Sequence, residues 1–157
     1  MSARTSFTSY RGYGFWASNV YVQTWLCIMA EHIGRLSGCP DWLHETREHW
    51  LSQGTESVEG PVLPDLDDYL GDDRRREFIL QLSIFAFDRL KKMGPSVPIE
   101  YLRSIGAEQP GTMYLKAPPS ESFVAYGEKW IMLLRGEPKL STSAAPDRIM
   151  IDPRKRN

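Results

Sequence analysis

The chain has 157 residues, of which 41% are hydrophobic and 25% are charged, and its formal net charge at pH 7 is −1. This composition is typical of a globular protein large enough for one sizeable core, so we expect a single domain over residues 1–157. A near-neutral balance argues against a nucleic-acid-binding module, which usually has a clear basic face. No apolar run reaches the roughly 20 residues of a membrane-spanning helix, so we expect no membrane contact.

The two cysteines, Cys27 and Cys39, give neither a disulfide framework nor a metal-binding spacing. Cys27 lies in an apolar stretch, where a free cysteine behaves as a small hydrophobic residue. The N-terminus lacks the apolar stretch of a secretory signal. These features predict a reduced, cytoplasmic protein, and no cofactor is expected.

Residues 1–17 form an aromatic lead to the first helix, and 11–15 (RGYGF) match the start of the RNP1 strand of RNA-recognition domains. The pattern K/R-G-F/Y-G/A-F-V-x-F/Y then fails, because Trp16 stands at the Val position and Ser18 replaces the second aromatic residue. Only ten residues precede Arg11, whereas RNP1 follows a strand and a helix of its domain. We therefore interpret the match as coincidence and predict a glycine-flexed lead whose aromatic rings pack on the first helix.

Hydrophobic residues at helical spacing predict a mostly α fold of five or six helices around a central apolar helix over 18–37. The residues expected to form the buried stripe of the central helix are Val22, Trp25, Leu26, Met29, Ile33 and Leu36. The other predicted helices cover 40–53, a single turn at 65–70, and then 72–93, 98–105 and 120–135. Glycines after most of these segments indicate their ends.

Two of these helices have a clear predicted core face. The stripe expected for 72–93 consists of Phe78, Ile79, Leu82, Phe85, Ala86, Leu90 and Met93. The stripe expected for 120–135 consists of Phe123, Trp130, Ile131 and Leu134. A small two-stranded ribbon, 113–116 paired with 148–151, is compatible with the pattern, and the tail 137–157 is expected to be partly extended.

The sequence HETREH at 44–49 resembles a metal-binding motif but has the wrong spacing. Zinc proteases place two histidines at i and i+4 so that both reach one ion. His44 and His49 are five residues apart, which rotates them by about 140° on a helix. We predict no metal site, and expect Glu45/His49 and His44/Glu48 to form i,i+4 pairs on a solvated face.

Charge is strongly segregated along the chain. Residues 41–73 contain ten acidic residues and one basic residue, Arg47, a formal charge of −9 (ten minus one). The remaining 124 residues carry 18 basic and ten acidic residues, a formal charge of +8. Clustered carboxylates attract basic partners and speed their encounter, whereas the alternative is a solvated face with acids at helix N-termini.

We predict no catalytic residues and a non-enzymatic protein-binding domain with an acidic docking surface for a basic protein. One form of such a domain is an immunity-type protein that neutralises a basic toxin, by analogy with bacterial immunity proteins in size, helicity and acidic segregation and without a shared motif. The predicted partner-binding residues are Glu56, Glu59, Asp65, Leu66, Asp67, Asp68, Tyr69, Asp72 and Asp73. Two alternatives are a helical enzyme or metal protein using 41–49, and a nucleic-acid-associated protein using Arg74–Arg76 and the basic tail.

Overall fold

The computed structural model describes residues 4–56, 60–107, 116–136 and 149–152. Within these ranges the chain forms six helices and one small antiparallel sheet of three strands, which confirms the mostly α fold. The helices are α1 (Asn19–Gly34), α2 (Asp41–Thr55), α3 (Leu66–Tyr69), α4 (Asp73–Lys92), α5 (Ile99–Ser104) and α6 (Glu121–Arg135). The strands are β1 (Thr5–Tyr10), β2 (Tyr13–Ser18) and β3 (Met150–Ile151). None of the described helices combines the length and apolarity needed to cross a bilayer.

The glycine-flexed aromatic lead is a β-hairpin, whose two strands were not predicted. Strands β1 and β2 pair from Thr5 opposite Ser18 to Tyr10 opposite Tyr13. Arg11 and Gly12 form the two-residue turn with φ of 50° and 86°, and positive φ at both positions is what a type I′ hairpin turn requires. Arginine is unusual there, which is why the turn was not evident.

The C-terminal strand pairs with the hairpin. Met150 and Ile151 of β3 lie opposite Gly14 and Tyr13, and the amide of Asp152 donates to the carbonyl oxygen of Gly12 at 2.8 Å. The small β element is thus confirmed, and 150–151 pair with β2, a partner that was not predicted. Residues 113–115 and 148 and most of the tail 137–157 lie outside the described residues, and Lys116 is not in a strand.

Helix α1 is the central element of the core, as predicted. Trp25 and Met29 are buried, and the ring of Trp130 on α6 lies between those of Trp25 and Trp50, at centroid distances of 6.0 and 5.4 Å. Gly54 permits the close approach of α2, because a Cβ there would lie 2.7 Å from the Sγ atom of Cys27. Leu36 was predicted to be buried but lies beyond the end of α1 and is 37% exposed.

Helix α4 is rotated relative to the prediction. Its buried residues are Ile79, Leu80, Ser83, Ala86 and Leu90, whereas Phe78 and Phe85 are exposed and Leu82 and Met93 are only half-buried. A polar residue occupies the core face, because the hydroxyl of Ser83 donates to the carbonyl oxygen of Ile79 and accepts from Nε1 of Trp130. The predicted core face of α6 (Phe123, Trp130, Ile131 and Leu134) is confirmed.

Candidate protein-docking surface

Side chains of α2 hold the segment that leads into the acidic turn at 65–69. The Nε2 atom of His49 lies 2.9 Å from the carbonyl oxygen of Leu63 and 2.8 Å from Oδ2 of Asp65, so one N–H group serves both acceptors. The indole of Trp50 donates to the carbonyl oxygen of Pro64 at 2.9 Å. The segment is therefore tied to α2 at three successive residues.

This arrangement corrects the interpretation of HETREH as a solvated face. His49 is half-buried and bonds to Asp65, sixteen residues further along the chain, and not to Glu45. His44 and Glu48 are exposed, and Glu48 pairs with Arg47 at 3.0 Å. Within the described ranges, no group of three His, Cys, Asp or Glu residues is placed to hold a metal ion.

The hairpin holds the acidic turn from the opposite side. The backbone amide of Arg11 donates to Oδ1 of Asp67 at 2.9 Å, and the Arg11 guanidinium pairs with Asp73 at 2.8 Å. The hydroxyl of Tyr10 donates to the carbonyl oxygen of Leu70 at 2.8 Å. The Arg11 guanidinium also holds the pKa of the Asp73 carboxyl below its ordinary value.

Two strained residues lie at these contacts. Among the described residues, Arg11 and Asp65 are the non-glycine residues with positive φ, 50° and 53°. Such conformations persist where surrounding contacts fix them, and they cluster at functional sites. Here the contacts with Asp67, Asp73 and His49 fix both residues, so the acidic turn is rigidly placed.

Tyr69 is the aromatic centre of the acidic turn. Its half-buried ring stacks on the ring of His49, with centroids 5.0 Å apart and planes at 24°. Burial raises the pKa of Tyr69 above its ordinary value, and the negative charges of Asp65, Glu45 and Asp68 raise it further. Carboxylates from α2 and from the turn thus act together on this ring. Within the described residues the Tyr69 hydroxyl forms no hydrogen bond.

An open cleft of about 300 Å³ lies beside the turn. Phe7 and Ser9 of β1 line one side, and Asp65, Asp67 and Asp68 are among the residues on the other. The cleft therefore combines an aromatic wall with a carboxylate wall, which is suited to a cationic group with an apolar stem.

The structure brings together four predicted site residues: Asp65, Asp67, Asp68 and Tyr69. Leu66 is contradicted as a partner-binding residue, because it is 1% exposed and belongs to the core beneath the turn. Leu66 starts a single helical turn between acidic residues. So short a helix has no periodicity that could show whether this side chain faces the core or the solvent.

The other predicted residues have local roles. Asp72 caps α4 by accepting from the amide of Arg75 at 2.8 Å, and Asp73 pairs with Arg11. Glu56, at the end of α2, accepts from the hydroxyl of Ser52 at 2.9 Å. Glu59 lies outside the described residues. Glu45 and His49 were not predicted to belong to the docking surface, because their i,i+4 spacing favoured a local pair with each other.

Comparisons of the chain with protein-family models, with curated proteins and with solved structures find no significant match.

Proposed function

We propose that this chain is a non-enzymatic protein-binding domain that receives a cationic side chain of a basic partner at the acidic turn 65–69. The observation that carries the proposal is the geometry of the acidic turn. Tyr69 stacks on His49, which pairs with Asp65, and an open cleft beside the turn is lined by Asp65, Asp67 and Asp68. A guanidinium group pairs with carboxylates and stacks on aromatic faces, so arginine is the side chain that fits this surface best.

The rigidity of the turn supports a role in binding. The contacts of His49, Trp50 and Arg11 with the 63–67 segment fix the carboxylates before a partner arrives. A preorganised surface loses less conformational entropy on binding than a flexible one. The excess negative charge of residues 41–73 would also speed the encounter with a basic protein.

An immunity-type protein that neutralises a basic toxin is one form of this proposal. In such a complex, an arginine or lysine of the toxin would enter the cleft between β1 and the acidic turn. The nucleic-acid alternative receives less support, because Arg75 and Arg76 already lie 3.7 Å from Asp72 and Asp73, respectively. The tail residues Arg154–Arg156 lie outside the described part of the chain.

The proposal is tested by NMR titration of the protein with the short peptide acetyl-Gly-Arg-Gly-amide at low salt. We expect chemical-shift changes centred on Tyr69 and His49, with weak affinity because the probe is small. Tyr69→Ala and Asp68→Asn should each weaken binding by about threefold or more, since each removes one contact to the cation. Added salt should weaken binding to the unaltered protein as well.

Glu121→Gln provides the matched control, because Glu121 is an exposed carboxylate in the first turn of α6. This variant should bind the peptide as the unaltered protein does. Shift changes spread evenly over exposed carboxylates, or equal losses in all three variants, would contradict the proposal.

A further inference from the structure

The outward face of α4 has an unusual composition. Exposed residues recur at alternating intervals of four and three, at positions 74, 78, 81, 85, 88 and 92, which is the spacing of a helix–helix seam. Phe78 and Phe85 occupy this face and are 42% and 65% exposed, although neither belongs to the buried core. Large apolar groups grouped on a surface generally mark an interaction site.

Neighbouring rings hold both phenylalanines in place. Trp42 of α2 meets Phe78 edge-on at a centroid distance of 5.9 Å. His32 of α1 meets Phe85 edge-on at the same distance. With the half-buried Leu82 between them, they form a preformed apolar strip along α4.

Charges of opposite sign flank the two phenylalanines along the helix. Arg74 forms no ion pair among the described residues, although Arg75 and Arg76 both do. Arg74 precedes Phe78 by four residues and Asp88 follows Phe85 by three, so the two charges lie at similar distances from the centre of the strip, between Gln81 and Leu82. Asp88 pairs with Lys91 at 3.5 Å, but both side chains are about half exposed, so this contact is weak.

We propose that the α4 face binds a second copy of this chain, with the two α4 helices antiparallel about a twofold axis between Gln81 and Leu82. In this arrangement Phe78 packs on Phe85 of the second copy, and Arg74 faces Asp88 of the second copy. Asp72 faces Lys91 of the second copy, and the antiparallel helix dipoles also attract. Parallel pairing would place Arg74, Asp88 and Lys92 each opposite its own equivalent, which is unfavourable.

The proposed contact is isologous, which means that the same surface of each copy binds the same surface of the other. Such a contact leaves no free binding surface, so the assembly ends at a dimer. The proposal does not depend on the docking surface at Tyr69. That surface is formed by β1, α2 and the 65–69 turn, whereas the seam is formed by the outward side chains of α4.

Sedimentation equilibrium of the full chain over a range of concentrations tests the proposal. We expect a reversible monomer–dimer equilibrium. The double variant Phe78→Glu with Phe85→Glu should weaken the dimer by about 100-fold or more, because it places acidic groups within the apolar strip. Trp16→Glu is the control: Trp16 is 41% exposed on β2, away from α4, and its replacement should leave the equilibrium unchanged.

A charge exchange tests the antiparallel register and does not disturb the aromatic residues. Arg74→Asp alone and Asp88→Arg alone should each weaken the dimer by about three- to tenfold, because like charges then face each other twice. The double variant should restore most of the loss. A chain that stays monomeric at all concentrations, a dimer that survives the phenylalanine replacements, or a double variant without recovery would each overturn the proposal.

Discussion

At the scale of single residues, buried polar side chains join the elements of this fold. The hydroxyls of Thr8 and Tyr126 lie 2.7 Å apart and connect the hairpin to α6. Ser6 bonds to Asn19 and accepts from the amide of Val62, so it joins the hairpin to α1 and to the segment before the acidic turn. Polar residues at such positions interrupt the hydrophobic periodicity, which is why the sequence pattern alone did not indicate β1.

Glu31 connects three neighbouring side chains at the margin of the core. Its carboxylate receives hydrogen bonds from the Tyr101 hydroxyl at 2.8 Å and from Arg89 at 3.2 Å, and it pairs with Arg35 at 2.8 Å. Burial by itself would raise the pKa of Glu31, but the bonds from Tyr101 and Arg89 outweigh it, and the pKa lies below 4.5. Ionised Glu31 therefore stabilises the contact of α1 with α4 and α5.

Replacing Glu31 by Gln should lower the free energy of unfolding by about 1–3 kcal/mol at pH 7, because hydrogen bonds to a charged acceptor are lost. The pKa of Glu31 is lower in the folded protein than in the unfolded chain. Its ionised form therefore contributes its full stabilisation at pH values above the unfolded-state pKa, and this contribution is lost as the pH falls through the folded-state pKa. The difference between the two proteins should thus shrink as the pH falls below 4.5.

Urea unfolding at neutral and acidic pH measures this effect. Glu100→Gln, at an exposed carboxylate of α5, is the control and should change stability little at either pH. An unaltered midpoint for Glu31→Gln at pH 7 would show that the Glu31 contacts contribute nothing to stability.

At the scale of elements, the sequence predicted the positions of all six described helices to within a few residues. Apolar periodicity, the N-cap Asp72 and stop signals such as Gly136 are local features that can be read without the fold. The rotation of α4 could not be read in this way. Phe78 and Phe85 appear more hydrophobic than Ser83, but only the position of Trp130 makes Ser83 a core residue.

The two faces of α4 should respond differently to truncation. Leu90 is buried, so Leu90→Ala should lower the free energy of unfolding by about 2–5 kcal/mol. Phe85 is 65% exposed, so Phe85→Ala should cost less than about 1 kcal/mol when the protein is dilute enough to be monomeric. Urea unfolding of the two variants is the measurement, and a larger loss for Phe85→Ala would mean that α4 faces the core as the sequence first indicated.

At the scale of the whole molecule, the fold pairs some acids of the segregated segment and leaves others unpaired among the described residues. The −9 segment meets bases from elsewhere, since Arg11 reaches Asp67 and Asp73 from the hairpin turn. Asp68 forms no ion pair among the described residues and remains beside Tyr69. The sequence shows which residues are acidic, but not which of them are bound by other residues. Arg11 lies 56 and 62 residues away from Asp67 and Asp73, the two aspartates that it contacts.

Burial and the negative charges of Asp65, Glu45 and Asp68 act together on the half-buried ring of Tyr69 and raise its pKa. The most direct measurement is the pH titration of the Tyr69 ring by ¹³C NMR, in the unaltered protein and in the double variant Glu45→Gln with Asp68→Asn. We expect the pKa of Tyr69 to lie above its ordinary value of 10.0 and to fall in the double variant while burial keeps part of the shift. Asp41→Asn, at the start of α2, should leave it unchanged. A Tyr69 pKa at the ordinary value, or one that the double variant does not move, would show that these carboxylates do not act on the Tyr69 ring.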